Sequence, residues 1–161
     1  MKALFICPSN TTYMPYLRNY LEAQQDQNYD IVYWDRLNLK EIGINYSDNK
    51  KGLRRNYFDY RKYAKYLISN YEFNNYDCVV VFGIQLLYFL SKELKKSSTK
   101  FILDIRDKHI LLNFLNKKIF EKAYCVVISS PAYKEWLPKK NNYIVNHNSR
   151  FLENKKNDKV P

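Results

Sequence analysis

An α/β domain with a parallel sheet is what this sequence predicts, and three observations carry the prediction. Apolar runs rich in Val, Ile and Phe recur along the chain, as in "DCVVVF" (77–82), "KFILDI" (100–105) and "YCVVIS" (124–129). They show little polar alternation, which marks strands buried on both faces. Segments with helical spacing separate the runs, one crossover for each pair of strands. About six strands connected in this way make a doubly wound, Rossmann-like parallel sheet with helices on both faces.

The elements follow in order. "KALFIC" (2–7) is the first strand, and a helix from Pro15 to Gln25 carries Leu17, Tyr20, Leu21 and Gln24 at helical spacing. "DIVYW" (30–34) is the second strand. A polar stretch leads to a helix over 57–72, whose Tyr60, Ala64, Leu67 and Tyr71 form an i, i+4, i+7, i+11 stripe. Strand 77–82 ends at Gly83, suited to a tight strand-to-helix turn. The next helix places Leu86, Leu87, Leu90 and Leu94 on one face. Strand 100–105 precedes a helix over 110–122, strand 124–129 precedes a short helical turn at 131–136, and "NYIVN" (142–146) is the sixth strand. Residues 1–150 thus form one domain, and the charged tail 151–161 reads as a linker or terminal arm.

Composition narrows the function classes. At 161 residues the chain fits a single domain, and 46% hydrophobic residues exclude a disordered protein. A net charge of +11 predicts attraction to an anion such as nucleic acid, lipid headgroups or phosphorylated ligands. Enrichment in Lys, Asn, Ile and Tyr also follows from AT-rich coding DNA, so charge alone identifies no partner. Cys7, Cys78 and Cys125 fall in strand-like runs with no zinc spacing; they read as reduced, buried thiols, and no metal is expected. The stretch "MKALFICPSN" (1–10) reads as too short and too strand-like for a signal peptide, and no apolar run approaches membrane length. The expected location is cytoplasmic, with room for peripheral contact with the inner face of the cell membrane.

In a doubly wound sheet, ligands bind beyond the carboxyl ends of the strands. The candidates therefore lie in Pro8–Tyr13, Trp34–Arg36, Gly83–Gln85, Asp104–His109, Ser129–Pro131 and Asn146–Ser149. The first loop lacks G-x-G-x-x-G and the chain has no P-loop, so no bound dinucleotide or other cofactor is expected. Ser9, Asn10 and Thr11 there could contact a ligand or cap the following helix. Asp104 and Arg106 share one face of their strand, where an ion pair would fix the loop. Arg106 and Asp107 are the expected ligand-facing groups, and His109 is a weaker candidate. Trp34, Asp35 and Arg36 repeat an Asp–Arg pair at the second strand's end, either as a ligand contact or as a rim salt bridge. Gly83, Gln85, Ser129, Ser130, His147 and Asn148 complete the candidate substrate-binding set, with Ser130–Pro131 also suited to a helix start. Tyr133, Trp136 and Leu137 read as core.

A basic-aromatic segment lies before and within the second helix. Residues 50–65 hold seven Lys or Arg and one Asp. Lys50, Lys51, Arg54, Arg55, Phe58, Arg61, Lys62 and Lys65 form either a solvated face or a contact with an anionic membrane. Nucleic acid ranks third, since no reading motif accompanies the charge.

Taken together, "LDIRD", "WDR", "ISSPAYKEWLP" and "NHN" make residues 1–150 resemble the amino-terminal domain of family 4-like glycosyltransferases of the GT-B fold, those of capsular and exopolysaccharide synthesis. The resemblance implies the acceptor-binding half of a hexosyltransferase. A second domain, absent from this chain, would hold the nucleotide-sugar donor, and this half alone would be inactive. It implies retention of configuration without a metal, and a saccharide acceptor that is lipid-linked. It also implies that Arg106, Asp107 and Asp104 lie near the transferred sugar. Ser9–Asn10–Thr11 stand where the family often has paired glycines, a departure that puts phosphate contact by bare backbone in doubt. The alternative is a stand-alone basic module for nucleic acid or anionic membrane.

Overall fold

The computed structural model describes residues 1–24, 28–139 and 142–147. The expected tail 151–161 and Asn148 lie outside the described residues. Seven strands among the described residues form one all-parallel sheet: β1 (Ala3–Cys7), β2 (Tyr29–Trp34), β3 (Ile44–Tyr46), β4 (Cys78–Phe82), β5 (Lys100–Ile105), β6 (Cys125–Ile128) and β7 (Tyr143–Val145). Their order is β3-β2-β1-β4-β5-β6-β7. The chain leaves β1 toward one edge and returns at β4 to build the other. The switch point thus lies between the carboxyl ends of β1 and β4, where a crevice opens in such sheets.

Alternation along the strands builds two cores. Leu4, Ile6, Val79, Val81, Phe101, Leu103 and Ile105 face α2 (Tyr57–Asn70), α3 (Ile84–Lys96) and α4 (Lys118–Lys122). Leu86, Leu87, Leu90 and Leu94 of α3 are completely enclosed there, each burial contributing about 1.5–3 kcal/mol. Ala3, Phe5, Cys7, Tyr33, Val80 and Phe82 face the opposite way, against Met14 and α1 (Leu17–Ala23). All three cysteines are buried free thiols.

Three elements depart from the sequence expectation. β3 is an additional, seventh strand, paired parallel to β2; three residues are too few to show periodicity. Its entry depends on Gly43, at φ +121°, where a Cβ would stand 2.9 Å from the Ile31 carbonyl oxygen. The helix expected over 110–122 is instead a 3-10 turn (Ile110–Phe114) and the short α4. His109 Nδ1 accepts from Leu111 N and Asn116 Oδ1 accepts from Lys118 N, and such local bonds compete with a continuous helix. The buried stripe of α2 is also rotated by about one residue: Asp59, Tyr63, Ala64 and Leu67 are buried, while Tyr60 and Tyr71 are half-buried. Tyr63 tolerates complete burial because its hydroxyl donates toward the Cys7 carbonyl (3.0 Å), with the Val32 carbonyl at 3.2 Å.

The start of α2 is set by a reciprocal cap. Asn56 Oδ1 accepts from Asp59 N (3.1 Å), and the Asp59 carboxylate accepts from Asn56 N (3.0 Å). Asn56→Ala is expected to lower stability by about 1 kcal/mol, with Asn56→Ser close to wild type. Urea denaturation followed by circular dichroism measures both; equal loss in the two variants would refute the cap's contribution.

Candidate functional site

Four loops converge at the switch point. Pro8 and Ser9 follow β1, Arg36 follows β2, Gly83 and Gln85 follow β4, and Arg106 and Asp107 follow β5. With Tyr16, Tyr60 and Phe82 they line a cleft of about 150 Å³. Gly83, at φ +91°, makes the turn from β4 into α3. Asp107 is exposed and has no hydrogen-bond or ion-pair partner among the described residues. Its carboxylate is therefore available to accept hydrogen bonds from a polyol.

Beneath Asp107 lies a fixed base. Asp104 is completely buried and Arg106 is 8% exposed. Arg106 Nε donates to Asp104 Oδ1, and Nη2 donates to Oδ2 at 2.6 Å. This two-point geometry suits a guanidinium better than any other side chain. Tyr20 of α1 adds a hydroxyl bond to Asp104 Oδ2 (2.6 Å). Arg106 also donates to the Asn146 carbonyl (2.5 Å) and lies 4.0 Å over the Tyr16 ring. Tyr133 donates to the Arg106 carbonyl (2.5 Å) and so positions the peptide that leads to Asp107. Burial pulls the Arg106 pKa down, and Asp104 pushes it back above its ordinary value, so the guanidinium stays charged. Burial presses the Asp104 carboxyl upward against the pull of Arg106 and Tyr20. Burial likewise raises Tyr16 and Tyr20, whose hydroxyls stay protonated.

A second network ties the first loop to the β2–β3 connection. Asn10 is fully buried; its Nδ2 donates to Asp35 Oδ1 (2.7 Å), and its Oδ1 accepts from Arg36 N (2.9 Å) and Leu37 N (3.2 Å). Asp35 also accepts from Leu39 N and Lys40 N. Thr11 and Thr12 direct their amides and hydroxyls at the Glu41 carboxylate, with Thr11 N at 2.5 Å and Thr11 Oγ1 at 2.8 Å. The loop that could hold a ligand's anion is thus occupied by a carboxylate of the same chain.

Arg36 stands beside the cleft in an aromatic clamp. Its guanidinium lies 4.6 Å from the Trp34 ring and 5.3 Å from the Tyr60 ring, and it donates to Tyr60 Oη (2.8 Å) and the Leu53 carbonyl (3.0 Å). Trp34 is completely buried and serves as the clamp's floor. The basic segment separates into two groups. Arg55 turns inward, pairing with Asp48 (2.6 Å) 5.5 Å from the Trp34 ring, and Lys50 pairs with Asp59. Lys51, Arg54, Phe58, Arg61, Lys62 and Lys65 are exposed.

The structure therefore gathers Ser9, Arg36, Gly83, Gln85, Arg106 and Asp107 at one cleft. It gives Asn10, Asp35, Trp34 and Asp104 internal partners beneath it. His109, Ser129, Ser130 and His147 lie outside the cleft wall: His109 Nδ1 and Ser130 Oγ cap their turns, and His147 is exposed. Tyr16, Tyr20, Tyr133 and Glu41 did not stand out in the sequence, where tyrosines at helical spacing read only as core. Among the described residues no group of His, Cys, Asp and Glu is placed to hold a metal ion, and no helix is long and apolar enough to cross a membrane. No protein-family model matches the sequence, and no curated protein matches it significantly.

Arg106→Ala strands a buried carboxylate and is expected to destabilise the domain by about 3–5 kcal/mol, whereas the paired change Asp104→Leu/Arg106→Met costs less. Comparable urea midpoints for the two variants would contradict this. Acid lability follows from three carboxyls held below their ordinary values. Lys50 and the Asn56 amide lower Asp59. At Asp35, burial is outweighed by Asn10 and backbone amides; at Glu41, it is outweighed by the two threonines. Such groups stabilise the fold fully above their unfolded pKa of about 4, and that contribution is lost as pH falls through the lower folded values. Glu41→Gln should flatten the dependence of the urea midpoint on pH below about 4, and an unchanged slope would count against it.

Proposed function

We propose that this domain is the acceptor-binding half of a glycosyltransferase, moving a sugar from a nucleotide-sugar to a lipid-linked saccharide in surface polysaccharide synthesis. The observation that carries the reading is the cleft at the switch point, where the unpartnered Asp107 carboxylate stands on an anchored Arg106 with Ser9 and Gln85 opposite. Saccharides are recognised by hydrogen-bonding groups held at fixed spacing, and preorganised neighbours reduce the cost of ordering them. Asp107 accepts the hydrogen bond of the acceptor hydroxyl and orients its oxygen toward the donor sugar. Arg106 holds the loop in place through Asp104 and Asn146. The donor nucleotide is held by a second domain, and the exposed cations of α2 face the anionic inner leaflet.

A second reading has its own observation: Arg54, Phe58, Arg61, Lys62 and Lys65 form an exposed basic-aromatic surface whatever the cleft does. As a stand-alone module the chain would bind anionic membrane or nucleic acid with steep salt dependence.

The test is sugar transfer to short-chain polyprenyl-diphosphate monosaccharides by the polypeptide that the full reading frame encodes. Asp107→Ala is expected to lower kcat by about a hundredfold or more with an unchanged circular dichroism spectrum. Wild-type turnover in that variant removes Asp107 from the mechanism. Tight, sequence-dependent binding of RNA or DNA by the chain favours the second reading.

A further inference from the structure

A second cavity, of about 350 Å³, adjoins the cleft and shares Arg36 with it. Its walls come from the β2–β3 connection and the approach to α2, including Arg36, Asn38, Ser47, Lys50, Lys51 and Gly52. We infer that this cavity binds a phosphate or diphosphate group. The inference deepens the reading above and rests on it only for the sugar end of the ligand.

The charge balance supplies the first reason. Residues 36–62 contain eight Lys or Arg and three carboxylates, and each carboxylate is already engaged. Glu41 is held by Thr11 and Thr12, Asp48 by Arg55, and Asp59 by Lys50 and the Asn56 amide. Lys51 and Arg54 have no ion-pair partner among the described residues. On the cavity wall Lys50 is paired with Asp59 and Asp35 keeps its charge, so the positive potential presented to whatever enters comes from Arg36 and Lys51. Asp35 is the one carboxylate on that wall, and both its oxygens are taken: Oδ1 by Asn10 Nδ2 and Leu39 N, Oδ2 by Lys40 N.

Preorganisation is the second reason. Arg36 is clamped between Trp34 and Tyr60 and tied to Leu53, so it loses little freedom on meeting an anion. Its Nε is buried without a hydrogen-bond partner. Asn38, Ser47 and Asn49 add uncharged polar groups around the cations, and a phosphate uses such donors together with charge. At the rim, nothing stands within 4 Å of the place a Gly52 Cβ would occupy, which leaves an open lip. Because Arg36 faces both spaces, one ligand can place a neutral sugar in the cleft and its phosphate in the basic cavity.

Calorimetric titration of the chain with inorganic pyrophosphate at low salt tests the inference. Saturable binding is expected, weakened about tenfold or more by Lys51→Glu, an exposed change that spares the core. Lys95→Glu, at the far end of α3, should leave it unchanged. Absence of saturable binding, or equal losses in the Lys51 and Lys95 variants, overturns the site. Pyrophosphate binding that persists while sugar transfer is absent separates failure of the enzyme reading from failure of this one. Competition with phosphatidylglycerol vesicles identifies the source. Displacement of vesicles by pyrophosphate assigns the cavity to a lipid phosphate, and vesicle binding unaffected by pyrophosphate assigns it to a soluble or substrate diphosphate.

Discussion

The buried Asp104–Arg106 pair is the interaction on which the functional end of this domain depends. Two charges removed from water are costly, and the cost is offset only where geometry satisfies both. Here Asp104 receives two bonds from Arg106 and one from Tyr20, while Arg106 reaches Asn146 and rests on Tyr16. Tyr133 closes the arrangement from the turn after β6. One ion pair thus holds β5, α1, the 131–135 turn and the end of β7 in register. Asp107 stands in the cleft as a consequence of that bracing.

The tyrosines acquire a common explanation. Several are buried deeply enough to act as core, yet each uses its hydroxyl to satisfy a polar group that burial would otherwise strand. Tyr63 serves the Cys7 and Val32 carbonyls, Tyr20 the Asp104 carboxylate and Tyr33 the Glu41 carbonyl. Phenylalanine would fill the same space and leave those acceptors dry. A parallel sheet whose loops carry charge benefits from side chains that are apolar along their length and polar at the tip.

Much of the fold was legible because it rests on local patterns. Unbroken apolar strands and the leucine face of α3 declare themselves within a few residues, and the strand order then places the crevice. Arg106 and Asp107 could be found because charge at the end of an apolar strand is conspicuous. What stayed hidden depends on contacts distant in sequence. Glu41 in a polar connection gives no sign that it will meet Thr11 and Thr12, and Tyr133 gives none that it will hold the Arg106 carbonyl. β3 was too short to show a period, and the break between the 3-10 turn and α4 rests on caps from His109 and Asn116. The inward turn of Arg55 was equally invisible, since Asp48 becomes its partner only once Trp34 provides a floor.

The Glu41 contact has a consequence for how the first loop meets ligands. A tethered carboxylate acts at an effective concentration set by the chain, far above that of a typical solute. An external anion reaching Thr11 and Thr12 binds only the fraction of molecules in which Glu41 has withdrawn, and its apparent affinity is scaled by that fraction. Glu41 is held below its ordinary pKa, so at neutral pH protonation does not remove the competitor. Whatever anion meets Thr11 and Thr12 must therefore first displace a carboxylate of the same chain.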